Sequence, residues 1–155
     1  MGSPVHQHQA RDTAQAMSQE NVDFVRRTFA EFDAGDSPQA AVEEIVRTGL
    51  AAPDTEFDYS AMYPDGPILR GFEAWREFIE NLPWGLSLNG EPERFFDVDD
   101  ERVLVFMRIA AEGEGSGAPV EIRSAYEFTI RDGVFVRWKV YADRTEALEA
   151  AGLQE

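Results

Sequence analysis

An α+β domain, with its helices mostly in the first half and its strands in the second, is what this sequence predicts. Three observations carry that expectation. Apolar residues recur at spacings of three and four in three segments before residue 83. After residue 92 the pattern changes to period two over several successive runs. Turn formers sit at the junctions, most plainly Asp132-Gly133 between two alternating runs.

The first helix is read from Ser18 as N-cap, with Val22, Val25, Phe29 and Phe32 on one face and Gly35 as its stop. Ser37-Pro38 gives a cap and a first-turn proline for a second helix, whose apolar stripe is Ala41, Val42, Ile45 and Val46. Pro53 is expected to end that region. A short strand over Thr55–Tyr59 and a turn-rich loop from Ser60 to Pro67 come next. Phe72, Trp75, Phe78, Ile79 and Leu82 then make a third helix, closed by Pro83.

The remaining text reads as strands over 86–89, 92–98, 102–112, 121–131 and 134–142, followed by a terminal helix over 144–151. In 102–112 the residues Val103, Val105, Met107, Ile109 and Ala111 share one face. In 121–131 the alternation is cleaner, with Ile122, Ser124, Tyr126, Phe128 and Ile130 on one side. Val134, Val136, Trp138, Val140 and Ala142 are expected to continue that inward face. Phe135, Arg137, Lys139 and Tyr141 then fall on the other. Asp143-Arg-Thr-Glu146 fits a capping arrangement for the last helix. The glycine-rich piece Gly113–Gly117 lacks the Lys-Ser/Thr of a phosphate loop and reads as a hairpin loop.

Composition removes several classes of function. The chain has 155 residues, one domain's worth, and no cysteine, so disulfides, thiolate metal sites and cysteine nucleophiles are out. Its two histidines, His6 and His8, lie in a polar segment over 1–17 that reads as a disordered extension before a domain over 18–155. A Ser-His-Asp triad or a histidine metal site inside the domain is therefore not available. The net charge of −16 repels phosphate backbones and anionic membranes, so neither nucleic acid nor membrane is expected as a partner. Residues 1–17 lack a signal-peptide apolar core and no run approaches a membrane span, so the expected location is cytoplasmic.

One sheet face mixes charges with Phe106, Phe135 and Tyr141, the pattern of a half-solvated face that meets a second subunit. A homodimer through this outer sheet face is the expectation.

The order helix, helix, strand, helix and strand meander carries several short motifs. They are Ser18-Gln-Glu-Asn-Val22, Phe32-Asp-Ala-Gly-Asp36, Leu69-Arg-Gly71, Ile130-Arg-Asp-Gly133 and Trp138-Lys-Val-Tyr-Ala-Asp-Arg144. Together, from residue 18 to about 152, they resemble the nuclear transport factor 2-like (NTF2-like) superfamily, specifically its SnoaL-like, polyketide cyclase-like branch. The resemblance implies a cone-shaped fold. Three N-terminal helices would pack on a strongly curved, mostly antiparallel sheet with a short C-terminal helix, enclosing a pocket. Members include steroid isomerases, polyketide cyclases, an epoxide hydrolase, a dehydratase and non-catalytic modules, so the fold alone selects no function.

Residue matching narrows the choice. Steroid isomerases use a carboxylate base together with a tyrosine and a protonated aspartic acid at the enolate oxygen. Set against them, the tyrosine position falls on Thr28, the base position on Tyr59 with Asp58 beside it, and the protonated-acid position on Tyr126. A tyrosine at 126 still donates a hydrogen bond, whereas a phenol with an ordinary pKa near 10 is a poor base at 59. The epoxide hydrolase comparison is disfavoured, because Val140, Val105, Met107 and Ile109 stand where its carboxylates and arginine would be needed. Asp58 depends on strand parity. With Thr55, Phe57 and Tyr59 inward it faces out as a solvated carboxylate, while a one-residue slip or a bulge would turn it into the pocket.

The candidate catalytic residues are therefore Asp58, Tyr59 and Tyr126. Phe57, Trp75, Met107, Ser124, Trp138 and Val140 are the candidate ligand contacts, with Trp84 a further aromatic near the mouth. Aromatic rings with a few hydroxyls suit a small hydrophobic, oxygenated metabolite. The chemistry such a set could support is isomerisation or aldol-type cyclisation by proton transfer, which needs no metal and no cofactor. A non-catalytic dimeric binding or association module is the alternative.

Overall fold

The structure is a computed structural model and describes residues 19–31, 38–81, 89–112 and 119–153. Helix α1 covers residues 19–31 and α2 Pro38–Arg47. Strand β1, Ala51–Ala61, and β2, Ile68–Arg70, precede α3, Phe72–Glu80. Strands β3 (Asn89–Asp97), β4 (Arg102–Glu112), β5 (Pro119–Arg131) and β6 (Val134–Tyr141) lead to α4, Arg144–Ala150. The sequence expectations for the 1–17 extension, Phe32, Gly35, Leu82, Trp84 and Gly113–Gly117 lie outside the described residues.

The six strands form one sheet in the order β2-β1-β6-β5-β4-β3. Every neighbouring pair is antiparallel except β1 and β6, which run parallel. Parallel neighbours need a long crossover, and here the intervening helix α3 and strands β3 to β5 supply it. The β5–β6 hairpin closes through Asp132 and Gly133, both at positive φ (54° and 77°), the pairing that a two-residue turn matched to strand twist requires.

Two cores form on the two sides of the sheet. On the inner face, Val22 and Val25 of α1 lie against Val103, Val105, Met107 and Ile109 of β4, with Ile45 and Val46 of α2 beside them. On the outer face, Ala147 and Leu148 of α4 cover Leu104, Phe106, Ala125 and Tyr141. α4 thus lies on the face opposite α1 and α2. Its two apolar residues need only a small patch, and the turn at Ala142 delivers it to the side where Phe106 and Tyr141 emerge. Asp143 caps it, accepting from the Thr145 N–H at 2.8 Å.

Three departures from the sequence pattern have local causes. β1 is eleven residues long, because Pro53 is carried within the strand rather than standing ahead of it. Proline is tolerated where a ladder is interrupted, and the β1–β6 register shifts between Ala51 and Glu56. Phe135 faces the inner core, not the outer face. The register pairs Ile130 with Phe135 and Thr129 with Arg137, so Val136 is an extra residue, and this bulge reverses parity along β6. Lastly, β2 forms just after the segment read as a loop, in residues to which the sequence pattern assigned no element. The intervening turn brings Gly66 so close to the Tyr59 backbone that a side chain there would overlap the Tyr59 carbonyl oxygen.

Candidate functional site

Where β1, β5, β6 and α3 meet on the inner side, aromatic side chains gather. Phe57 stacks on Trp75 with ring centroids 5.3 Å apart, and Trp75 lies 6.0 Å from Trp138. Trp138 in turn meets Tyr126 edge-on at 5.0 Å and stacks on Phe128 at 6.2 Å. Tyr59 packs on Phe78 of α3 at 5.0 Å. The alternation of β1 turns Phe57 and Tyr59 to this side. The bulge at Val136 restores the parity that brings Trp138 and Val140 there, opposite Phe128 and Tyr126. Met107 and Ser124, register partners on β4 and β5, lie deeper at 1% and 0% exposure.

The polar groups in this setting are hydrogen-bond donors. Trp75 Nε1 donates to the Tyr59 hydroxyl oxygen at 2.8 Å, which leaves the Tyr59 proton to be given elsewhere. Burial pushes the Tyr59 phenol up to about 12, against the opposing pull of the Trp75 hydrogen bond. Burial raises Tyr126 further, with a contribution from Tyr59 nearby. Both phenols therefore stay protonated through the physiological range. Tyr126 is half-buried, and its hydroxyl has no hydrogen-bond partner among the described residues. Ser124 Oγ and Trp138 Nε1 are enclosed and also lack partners among the described residues.

No charged residue occupies an inward position of β1, β4, β5 or β6 in this region. Asp58 is on the opposite side of β1, so the slip that would have turned it inward does not occur. Nor is it solvated: at 2% exposure it accepts from Arg137 Nη2 at 2.6 Å and from the Ser60 hydroxyl and N–H at 2.6 and 2.9 Å. Burial alone would raise its pKa. The two Ser60 bonds, the Arg137 bond and the Lys139 charge outweigh that and hold the carboxyl below its usual range. Thr28, at the helix position matched to a tyrosine, donates to the Phe24 carbonyl at 2.8 Å and is committed within α1. Arg108 points away from the interior and pairs with Glu91. Among the described residues no group of three or more His, Asp and Glu side chains offers a metal ligand set.

The structure thus brings together Phe57, Tyr59, Trp75, Tyr126 and Trp138, with Met107, Ser124 and Val140 beneath, and leaves Asp58 across the sheet. Sequence reasoning passed over Phe78 and Phe128 as site residues. Phe128 shares the parity of Tyr126 and was findable on that ground, whereas Phe78 meets Tyr59 only through the docking of α3.

No family model and no curated protein matches the sequence. Solved structures do. A protein described as a SnoaL-like polyketide cyclase from Jannaschia sp. CCS1 superposes with a TM-score of 0.59 at 20% identity, over 88% of this chain and 94% of that one. An NTF2-like protein from Burkholderia xenovorans LB400 gives 0.56 at 25% identity, over 86% and 95%. TerC, co-crystallised with polyporic acid, gives 0.59 at 20% identity, over 85% and 98%. The chain has the NTF2-like fold. SnoaL-like proteins stand among its structural neighbours, which agrees with the motifs quoted from the sequence. None of its described helices is long and apolar enough to cross a membrane.

Proposed function

We propose that this NTF2-like chain binds a flat, mostly apolar, oxygen-bearing small molecule among Phe57, Trp75, Tyr126, Phe128 and Trp138. The Tyr126 and Tyr59 hydroxyls donate to its oxygen. One observation carries the reading: the Tyr126 hydroxyl, protonated and without a partner among the described residues, sits on a half-buried side chain ringed by aromatics. An acceptor oxygen on a ligand, paired with this hydroxyl, is worth a net of about 0.5–1.5 kcal/mol. That TerC was co-crystallised with polyporic acid supports a small-molecule occupant for this fold.

The same donors suit a cofactor-independent isomerisation or aldol-type cyclisation. Two neutral phenols would hold the carbonyl oxygen as enolate charge develops on it. Such chemistry also needs a base, and the inward positions of β1, β4, β5 and β6 in this region carry no carboxylate. Binding without turnover is therefore the reading placed first.

The test compares 9-fluorenone with fluorene, two flat probes that differ by one carbonyl, using tryptophan fluorescence and calorimetry. Fluorenone is expected to bind the wild type about tenfold tighter, the worth of one hydrogen bond of roughly 1.4 kcal/mol. Tyr126→Phe should remove most of that preference, the Tyr59 hydroxyl keeping the rest, while leaving fluorene affinity unchanged. Equal binding of the two probes by the wild type contradicts the donor assignment, and failure of both to bind contradicts the site.

A homodimer through the outer sheet face belongs to the same proposal, with a change of contact. Phe106 and Tyr141 are covered by α4 and Phe135 faces inward, so the free part of this face is polar and includes the ladder of Glu56, Arg137 and Lys139. Together with the buried Asp58 its charges offset one another, whereas the chain as a whole carries −16. Sedimentation equilibrium at micromolar concentration should give twice the chain mass of 17.4 kDa, and a value of 17.4 kDa contradicts it.

A further inference from the structure

We propose that Arg144 is a positioning residue for Tyr126, fixing from the outer face of the sheet the backbone that carries this hydroxyl inside. The inference rests on the interior ligand site proposed above.

Arg144 opens α4, yet its side chain is only 21% exposed because the guanidinium lies flat against the sheet. Its Nη2 donates to the Met107 carbonyl at 2.8 Å and to Glu93 Oε1 at 2.5 Å, and its Nε donates to the Ser124 carbonyl at 3.2 Å. The group also sits 4.7 Å above the Phe106 ring. Arginine's rigid planar fork suits this set of acceptors, which a lysine ammonium could not reach in one plane. A carbonyl oxygen has two lone pairs, so each accepts the arginine without giving up a ladder bond.

The place where this happens is flanked by an interruption of the ladder on each side. Met107 and Ser124 face each other across β4 and β5. On one side the β3–β4 register shifts between Pro92 and Arg94, leaving Glu93 as the extra residue, and Pro92, opposite Met107, has no N–H to give. On the other side the β5–β6 register runs out at Ala125 and Tyr141, one residue before Ser124. One guanidinium ties three strands together at that gap. Tyr126 is the next inward residue after Ser124, so the peptide that Arg144 holds sets the reach of its hydroxyl. A shift of about 1 Å there is enough to misalign a hydrogen bond.

The fluorenone-to-fluorene affinity ratio reads this directly, because a general loss of packing would weaken both probes together. In Arg144→Met the ratio should fall at least threefold, with fluorene affinity held within about twofold and the fold intact by circular dichroism. Arg144→Lys, which keeps the charge beside Glu93 and guards against a misfolded methionine variant, should show the same fall. Arg123→Met, an exposed arginine on β5 paired with Glu121, should leave the ratio alone. A folded Arg144→Met or Arg144→Lys protein with the wild-type ratio overturns the role. A wild type that does not distinguish the probes overturns the ligand reading itself, and the positioning role with it.

Discussion

Arg137→Met is expected to destabilise the protein at pH 7 by about 2–4 kcal/mol, since removing one partner of a buried ion pair strands the other. Asp58 is the stranded group. It is nearly inaccessible, and Arg137 Nη2 at 2.6 Å is its charged partner, with the two Ser60 bonds and the Lys139 charge left to compensate in part. The effect has a definite pH signature. The folded-state pKa of Asp58 is depressed, so its contribution to stability is present above the unfolded carboxyl value of about 3.9 and is lost as pH falls through the folded value. The gap between wild type and variant in urea denaturation should therefore be full at pH 6–7 and narrow toward pH 3. Adding Asp58→Asn to Arg137→Met should recover part of the loss, because the buried charge is then gone. Equal stabilities at pH 7 would show that Ser60 and Lys139 satisfy Asp58 by themselves.

The second large effect is expected at Trp75. Its side chain is 1% exposed, stacked on Phe57, 6.0 Å from Trp138 and bonded to the Tyr59 hydroxyl. Trp75→Ala should cost about 3–5 kcal/mol, the transfer loss plus the cavity left between α3 and β1. Trp75→Phe keeps a ring but not the N–H, and should cost about 1–2 kcal/mol. The two variants also differ in what they do to the site. Trp75→Phe releases the Tyr59 oxygen and should alter fluorenone affinity more than fluorene affinity, whereas Trp75→Ala removes a wall and should weaken both. A loss below about 1 kcal/mol for Trp75→Ala would mean that α3 does not close this side of the sheet.

The sheet was most legible where each face is chemically distinct. In 121–131, apolar and hydroxyl residues alternate with Glu121, Arg123, Glu127 and Arg131, and the observed strand follows that parity throughout. Asp132-Gly133 likewise specifies its turn by backbone conformation alone. Legibility failed at Val134-Phe-Val136, where three apolar residues in a row give no parity, so the bulge at Val136 left no trace in the sequence. β1 was cut short because Pro53 read as a breaker, and only the tertiary register shift shows why it is tolerated. The side on which α4 docks is set by two small contacts, Ala147 and Leu148, too few to point in a direction.

For the site, parity along β1 was enough to group Phe57 and Tyr59, but it left Asp58 open to either face, and Asp58, expected as a candidate catalytic residue, lies across the sheet on Arg137. What it could not supply was the partner of Asp58. Arg137 is 79 positions away, and only the parallel pairing of β1 with β6 brings the two together. Arg144 was equally hidden. Its sequence neighbours advertise a helix cap, while its guanidinium serves carbonyls 20 and 37 residues earlier.

The central claim, that Tyr126 presents a hydrogen-bond donor to a ligand oxygen inside the sheet, is tested most directly by a crystal structure of the protein with 9-fluorenone. The account predicts the probe against Trp138 and Tyr126 on the inner side of the sheet, its carbonyl oxygen about 2.6–3.0 Å from Tyr126 Oη. A probe bound only on the outer face, or seated inside with its carbonyl turned away from Tyr126, would contradict it.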